Sequence, residues 1–406
     1  MNRYGRNIGL NYLFTALSTL NLTHGIWMIY LALKGFSLVE LGILEGIYHV
    51  TSFLMEVPTG VIADLWGRKL SRILGRIAAV LSVAIMFFSS GFLLQALGFI
   101  LTALGNNLES GAGDALVYDS LLLDEKQDIY IQVAGKQELC YQIAAIASFL
   151  LGGYLAVHSY KWVFSLTMGF YVLGACLALL FIEPEIERVT TKNLEASLSK
   201  KIGLSMQSQM KESFLLLKSR KRIAFFIVFS ESLFCFLTVL FFYLQNFWVS
   251  GGKTEFQIGI VFAANALVAG LTALFAGKIE RKIGERGVLT SMPLLLIICL
   301  WGVALGTYQE FFYVLTGCIE GILIASIGTY LNRLIPSAQR ATILSLQSMA
   351  FSFFMILIFP IAGAIGDHWS LQLAFLLMAI LATLLCVAYL WAFKPYTIQK
   401  QGIALE

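Results

Sequence analysis

Apolar residues run along this chain in twelve stretches, each long enough for a helix to cross a hydrocarbon core of about 30 Å. The runs fall near residues 8–33, 38–62, 70–90, 92–118, 137–158 and 161–182, then near 222–248, 256–277, 287–307, 310–332, 341–366 and 369–393. Polar residues interrupt the fourth and fifth runs, so those spans are the least regular. Between the sixth and seventh lies the one long polar connection, rich in Lys, Glu, Ser and Gln. It predicts an N-terminal unit of residues 1–183, a linker of 184–221 and a C-terminal unit of 222–406. Met206, Met210, Phe214 and Leu217 recur along the linker in a pattern that fits either an interfacial helix or a solvated tether.

Composition agrees with lipid as the solvent. Of 406 residues 58% are hydrophobic and 13% charged, against about 25% charged in a soluble domain, and mean hydropathy is +0.80. Helices tolerate such surroundings because they satisfy their own backbone groups. The basic residues give an orientation. Of 28 Lys and Arg, 25 fall at the termini and in loops of one side, leaving only Lys34, Lys161 and Lys253 on the other. The positive-inside rule then predicts an even number of spans with both termini cytoplasmic. The first helix lacks a cleavage-like site and is read as retained. Trp162, Trp248 and Trp369 near outer ends, and Trp391 near an inner end, fit an aromatic belt. Six cysteines fall singly in apolar segments, without metal-ligand spacing.

The loop after the second run reads Gly60-Val-Ile-Ala-Asp64-Leu-Trp-Gly67-Arg68-Lys69, and the loop after the eighth reads Gly277-Lys-Ile-Glu-Arg281-Lys-Ile-Gly284-Glu285-Arg286. Both fit G-x-I-x-x-x-x-G followed by charge, so a duplicated six-helix unit is the economical explanation. Gly60 and Gly67 are read as giving a tight turn and a close backbone approach. Asp64, at a helix end, is read as meeting a neighbouring helix N-terminus. Gly60 to Lys69 resembles the G-x-L-A-D-x-x-G-R-K/R loop of the major facilitator superfamily. That resemblance implies an all-α membrane protein of twelve transmembrane helices in two pseudo-two-fold related six-helix bundles. It implies that spans one, four, seven and ten line a central cavity, with spans two, five, eight and eleven between the halves. It also implies that Asp64 and Arg68 latch the halves on the cytoplasmic side, with Asp119 the candidate partner of Arg68. Glu56-Val-Pro-Thr-Gly60 and Asp114-Ala-Leu-Val-Tyr118-Asp119-Ser resemble bacterial drug:proton antiporters of the multidrug-efflux type. Two motifs of such exporters depart from pattern here: Asn107 stands where R-x-x-x-G would place arginine, and Ser148-Phe149 precede Gly152-Gly153 in place of Gly-Pro.

Ionisable groups at membrane depth cost at least about 2.5 to 3.5 kcal/mol on insertion scales and therefore mark function. Asn106, Asn107, Glu109, Ser110 and Asp114 share one face of span four, and Glu45, His49, Ser52 and Glu56 form one stripe of span two. Glu231 lies with Thr238 and Gln245 on span seven, and Glu320 with Tyr313 and Thr316 on span ten. As drawn, the membrane interiors contain no Lys or Arg, so every buried charge is expected to be acidic, favouring a cationic or neutral cargo, or protons. Glu109, Asp114, Glu231 and Glu320, then Glu56, are the candidate proton-coupling carboxylates. His49 is a candidate relay, or a packing residue, and His24 is a weaker one. Phe234, Phe242, Tyr243 and Tyr313 are candidate packing partners for the cargo.

No enzyme fingerprint appears. Gly251-Gly252-Lys253-Thr254 resembles the end of a P-loop, but Phe247 occupies the leading glycine position. Three readings remain open. The first is a proton-coupled exporter of amphiphilic cationic or neutral molecules in a bacterial cytoplasmic membrane, monomeric, without cofactor or nucleic acid. The second is a uniporter or symporter for a metabolite, lipid or peptide, and the third a receptor or enzyme retaining the fold.

Overall fold

The computed structural model describes residues 4–184, 221–334 and 340–393. Residues 185–220 of the linker, with the amphipathic stretch 204–217, and the basic residues Arg3, Lys394 and Lys400 lie outside the described residues. Within them the ordered elements are helices. Span one is two pieces, Gly5–Thr19 and Trp27–Leu33. Spans two to seven are Leu38–Trp66, Arg68–Phe88, Phe92–Leu123, Tyr130–His158, Tyr160–Leu179 and Lys221–Ser250. Glu255–Leu305 holds spans eight and nine, and spans ten to twelve are Gln309–Leu334, Arg340–His368 and Leu371–Phe393.

Nine of the described helices are apolar and long enough to cross a membrane as single elements. Glu255–Leu305 is one of them and crosses twice. The remaining two crossings are span one, which is broken, and span four, whose Gln95, Asn106, Asn107 and Glu109 lower its hydropathy.

The internal repeat has a conformational cause. Gly67 ends span two at φ +105°, and Gly284 separates spans eight and nine at φ +74°, a region that costs an L side chain more than glycine. The second glycine of each copy thus reverses the chain. Gly60, by contrast, makes no close approach: a β-carbon added there, or at Gly277, meets nothing within 4 Å. Asp64 likewise differs from expectation. It is exposed, while the N-terminus of span three receives Glu183, whose carboxylate accepts from the backbone N–H of Arg68 at 2.9 Å and Lys69 at 2.8 Å. A carboxylate there complements the partial positive charge of the helix end. The glycine turn at 251–252 is also structural, since Thr254 caps span eight by accepting from Gln257 N–H.

Trp162, Trp369 and Trp391 are exposed on the bundle surface, as a belt requires. Trp248 departs from that expectation. It is buried, and its indole N–H donates to Gln309 at 3.2 Å.

Spans one to six pack on one another, as do spans seven to twelve. The bundles meet through two related pairs, two with eleven and five with eight, and through the second piece of span one against span seven. All three junctions are tightest at the end opposite the basic loops, called here the far end. A β-carbon on Gly153 would lie 2.5 Å from the Glu255 carbonyl oxygen, and one on Gly259 2.4 Å from that of Phe149. In the symmetry-related pair, a β-carbon on Gly363 would run into the Leu38 carbonyl oxygen, and one on Gly42 would lie 2.8 Å from Pro360 Cα. Asp367, at the end of span eleven, accepts from the backbone N–H groups of Leu38 at 2.9 Å and Val39 at 2.7 Å, capping span two across the junction.

Asp367→Ala removes this cap. At about 1 kcal/mol for a lost capping side chain, far-end opening is expected to rise about fivefold. The measurement is labelling of a cavity cysteine by an impermeant maleimide from the far side, and an unchanged rate would show that Asp367 caps nothing of consequence.

Candidate functional site

Between the halves lies a cavity of about 970 Å³. Its floor at the far end is aromatic: Trp27, Phe149, Phe241, Phe242 and Phe262. Rings of this group meet edge-on or tilted, Phe241 with Phe262 at 4.6 Å and Trp27 with Phe242 at 5.4 Å. His24, at the break in span one, packs on Phe241 at 5.1 Å. Gln245 holds that break by accepting from Met28 N–H and donating to the His24 carbonyl, both at 3.4 Å. Toward the basic end the lining becomes polar, and Asp114 and Glu138 at that side are exposed. The cavity is therefore sealed at the far end by backbone-close packing and open at the basic end.

The sequence-chosen residues divide on this surface. Asn106, Glu109, Asp114, Glu320, His49 and Tyr313 line the cavity. Asn106 donates to the Tyr48 hydroxyl at 3.0 Å, and Tyr313 is buried against Trp248 and Phe262. No hydrogen bond to the Glu320 carboxylate occurs among the described residues. His49 bridges the halves: Nε2 lies 3.5 Å from Glu45 Oε1 and Nδ1 3.4 Å from Ser352 Oγ.

Three candidates are placed elsewhere, and the reading of them as cavity groups is corrected. Asn107 forms a reciprocal pair with Ser52, accepting its hydroxyl at 2.8 Å and donating to its carbonyl at 2.7 Å, so it clamps span four to span two. Glu231 is buried behind the cavity wall, where its carboxylate accepts from Ser230 at 2.8 Å and Gln347 at 3.0 Å. Glu56 is half-buried and absent from the lining. Of the aromatic candidates, Tyr243 also lies outside the lining and donates to the Phe359 carbonyl at 2.8 Å, while Phe234 and Phe242 face the cavity.

At the basic end Arg68 pairs with Asp119 and donates to the Ala115 carbonyl at 2.6 Å. Both partners belong to span four, so in this state the loop ties span three to span four. Lys69 contributes its backbone N–H to Glu183.

The largest departure concerns charge. Arg72 and Arg76, counted from the sequence among loop residues, are buried inside span three, 1% and 4% exposed, and both line the cavity. The buried charge is not all acidic. Arg72 donates from Nε and Nη2 to Glu109 Oε1, each at 2.9 Å, and from Nη1 to Asn11 at 2.9 Å. Its guanidinium lies over Phe14 at 4.0 Å and Phe181 at 4.6 Å. Asn11 donates on to Gln137 at 2.8 Å, and Gln137 to Asp114 at 3.5 Å. Glu109 is thus an ion-pair partner rather than a free carboxylate. Arg76 has no such partner among the described residues. Its guanidinium sits 5.3 Å from the Tyr171 ring and 5.7 Å from Phe14, and its buried Nε makes no hydrogen bond. Cation–π contacts give about 0.5–2 kcal/mol, less than the several kcal/mol needed to desolvate an ion.

A sequence signal for these arginines exists. Arg72, Arg76, Ala79, Val83 and Met86 follow one helical stripe, and all line the cavity. Reading span three as starting at residue 70 but its arginines as loop residues concealed the stripe.

The sequence profile of the Major Facilitator Superfamily matches residues 8–312 and 253–404. An uncharacterized MFS-type transporter of Bacillus subtilis (strain 168), YxaM, is 24% identical over 397 residues, covering 93% of this chain and 94% of its own. Among solved structures, the nucleoside transporter NupG superposes with a TM-score of 0.75 at 16% identity, covering 97% of this chain and 100% of its own. A bacterial homolog of the human lysosomal transporter Spinster, inward-facing and unoccupied, gives 0.73 at 14% identity, covering 97% and 98%. A D-xylose–proton symporter gives 0.70 at 12% identity, covering 94% and 95%.

Proposed function

The chain belongs to the Major Facilitator Superfamily and is a multi-pass membrane transporter, and on that premise we propose that it carries a small polar solute by alternating access, driven by the proton gradient. The observation that carries this reading is the cavity of about 970 Å³, sealed at the far end by Gly153, Gly259, Gly42 and Gly363 and open at the basic end. The moving bodies are residues 1–183 and 222–406, joined by the linker 184–221, with the basic loops on the cytoplasmic side of a bacterial cytoplasmic membrane. This state is inward-facing. The Gly60 to Lys69 loop is the cytoplasmic latch in its open form: Arg68 stays on Asp119 while Asp64 faces solvent, free to meet the other half when the basic end closes.

Glu320 is the proposed proton carrier. It lines the cavity from the C-terminal half with no hydrogen-bond partner among the described residues, so wetting and drying of the cavity act directly on its carboxyl. Glu109 is held by Arg72, and Glu231 is held outside the cavity.

The fold serves solutes as different as nucleosides and D-xylose in the proteins it resembles, which leaves the cargo to the side chains. A permease for a metabolite, in its proton-coupled form a symporter, is the reading that Arg76 favours, because a guanidinium without a carboxylate partner among the described residues disfavours a cation beside it. The aromatic floor formed by Phe241, Phe242 and Phe262, together with Glu320, favours the second reading, export of amphiphilic cationic or neutral drugs.

The test is flux in proteoliposomes against a panel of nucleosides, sugars, amino acids, carboxylic acids and drug-like cations. Glu320→Gln is expected to reduce flux driven by a pH gradient at least about tenfold, a loss of about 1.4 kcal/mol or more of coupling, while exchange at equal pH continues. Glu231→Gln is expected to keep gradient-driven flux. Gradient-driven flux that survives Glu320→Gln would remove the coupling assignment, and ligand binding without flux in any wild-type preparation would favour a receptor.

A further inference from the structure

From the pattern of unmet donors in the N-terminal half, we infer that Arg76 and Ser18 form the seat for a carboxylate group on the cargo. Arg76 comes from span three and Ser18 from span one, and both line the cavity. They converge beside Gly174 of span six: a β-carbon there would lie 3.5 Å from Arg76 Cδ and 3.9 Å from Ser18 Oγ. Both polar atoms, Arg76 Nε and Ser18 Oγ, are buried without a hydrogen-bond partner. A guanidinium only donates. The Ser18 hydroxyl can donate or accept, and since neither atom has a partner among the described residues, a carboxylate oxygen brought by a ligand would satisfy the guanidinium and the hydroxyl together.

Charge counting selects the class. Glu109 already pairs with Arg72, so at the seat itself Arg76 presents a single guanidinium without a carboxylate partner among the described residues, the acidic lining groups Glu45, Asp114, Glu138 and Glu320 lying elsewhere on the cavity wall. That matches a monoanion and not a doubly charged phosphate. The planar fork of arginine also fits the two oxygens of a carboxylate. Across the cavity, Phe241, Phe242, Phe262 and Tyr313 provide an aromatic wall for an apolar body, with Glu320 on the same side. The cargo so described is a small monocarboxylic acid with an apolar body. The assignment rests on the transport reading only in calling the ligand a cargo, since binding is measured without flux.

The experiment uses the purified full chain in detergent. Thermal unfolding and direct binding are recorded with a panel of aliphatic and aromatic monocarboxylates, each paired with its primary amide, alongside inorganic phosphate and quaternary ammonium ions. A subset of the acids is expected to stabilise the protein and their amides to do so far less. Arg76→Gln is expected to weaken acid binding at least about tenfold, equivalent to about 1.4 kcal/mol. Arg76→Lys retains part of it, and Ser18→Ala loses a few-fold. Stabilisation by no acid, equal stabilisation by acids and amides, a response to phosphate or to ammonium ions alone, or acid binding unchanged in folded Arg76→Gln would each overturn the assignment. Should Arg76→Gln fail to fold, the wild-type acid-against-amide contrast and Ser18→Ala decide. Acid binding with no flux of any solute would sink the transport reading and leave the seat intact, while flux of cationic or neutral solutes without acid binding would do the reverse.

Discussion

Gly153→Val combined with Gly363→Val leaves the protein open at the far end and lowers flux about 100-fold or more. The β-carbons would stand 2.5 Å and 2.4 Å from the carbonyl oxygens of Glu255 and Leu38, partners that belong to backbone and cannot rotate aside. Overpacking of this kind costs about 1–3 kcal/mol per site, and the cost falls only on the state in which the far end is sealed. Two sites together approach the roughly 5.5 kcal/mol that carries a two-state population from 1:99 to 99:1. A transporter held in one state binds but does not turn over. Labelling of Phe242→Cys by an impermeant maleimide reads the population. In the double variant it is expected to rise from the far side and fall from the basic side. Gly169→Val is the control, because nothing lies within 4 Å of a β-carbon there. Unchanged sidedness in the double variant, or the same change in the control, would refute the glycine seal.

Arg72→Met destabilises the fold by about 3–5 kcal/mol, the usual result of stripping a buried charge of its partner. Both Nε and Nη2 of Arg72 reach a single oxygen of Glu109, and the other oxygen, Oε2, is already buried without a hydrogen bond. Removing the guanidinium leaves that carboxylate, whose side chain is 20% exposed, without its ion-pair partner. Phe14 and Phe181, which sandwich the arginine, would still pack on methionine. The double variant Arg72→Met/Glu109→Gln is therefore expected to recover most of the loss, since an apolar replacement for a buried pair is often close to neutral. Denaturation of the four proteins of the cycle in one detergent gives the coupling energy directly. A coupling below about 1 kcal/mol would mean a solvated pair of the surface kind.

Much of the architecture was legible because each span is a local matter. A helix must be apolar over the thickness of the bilayer, and a one-dimensional window detects that even for span nine, which the structure continues through Gly284 without an intervening loop. The two glycines of the repeat were legible for the same reason: Gly67 and Gly284 each need a positive φ at a fixed place after an apolar run. Of the site, Glu109, Asn106, Asp114, Glu320 and Tyr313 were found as polar or aromatic positions on helices that line the cavity. Their partners were not. Asp64 and Glu183 are both acidic residues near span ends, and nothing in their spacing says that Glu183, more than a hundred residues away, reaches the start of span three. Trp248 and Trp162 look alike at the far ends of their spans, yet Gln309 takes one inward.

Taken by itself, the sequence determined the twelve crossings, the duplication and the presence of charges that lipid would not tolerate, because bilayer thickness and helical rise act along the chain. Which charges face which was decided by tertiary structure alone. Arg72 is neutralised by Glu109 of span four and stacked on Phe14 of span one and on Phe181 just past span six, whereas Arg76, one turn further along, lies by the Tyr171 and Phe14 rings with no carboxylate partner among the described residues. Four residues apart on one helix, the two arginines are nearly equivalent in any local pattern. Electrostatic environment is set by neighbours that arrive from distant segments, and only the packed bundle brings them together.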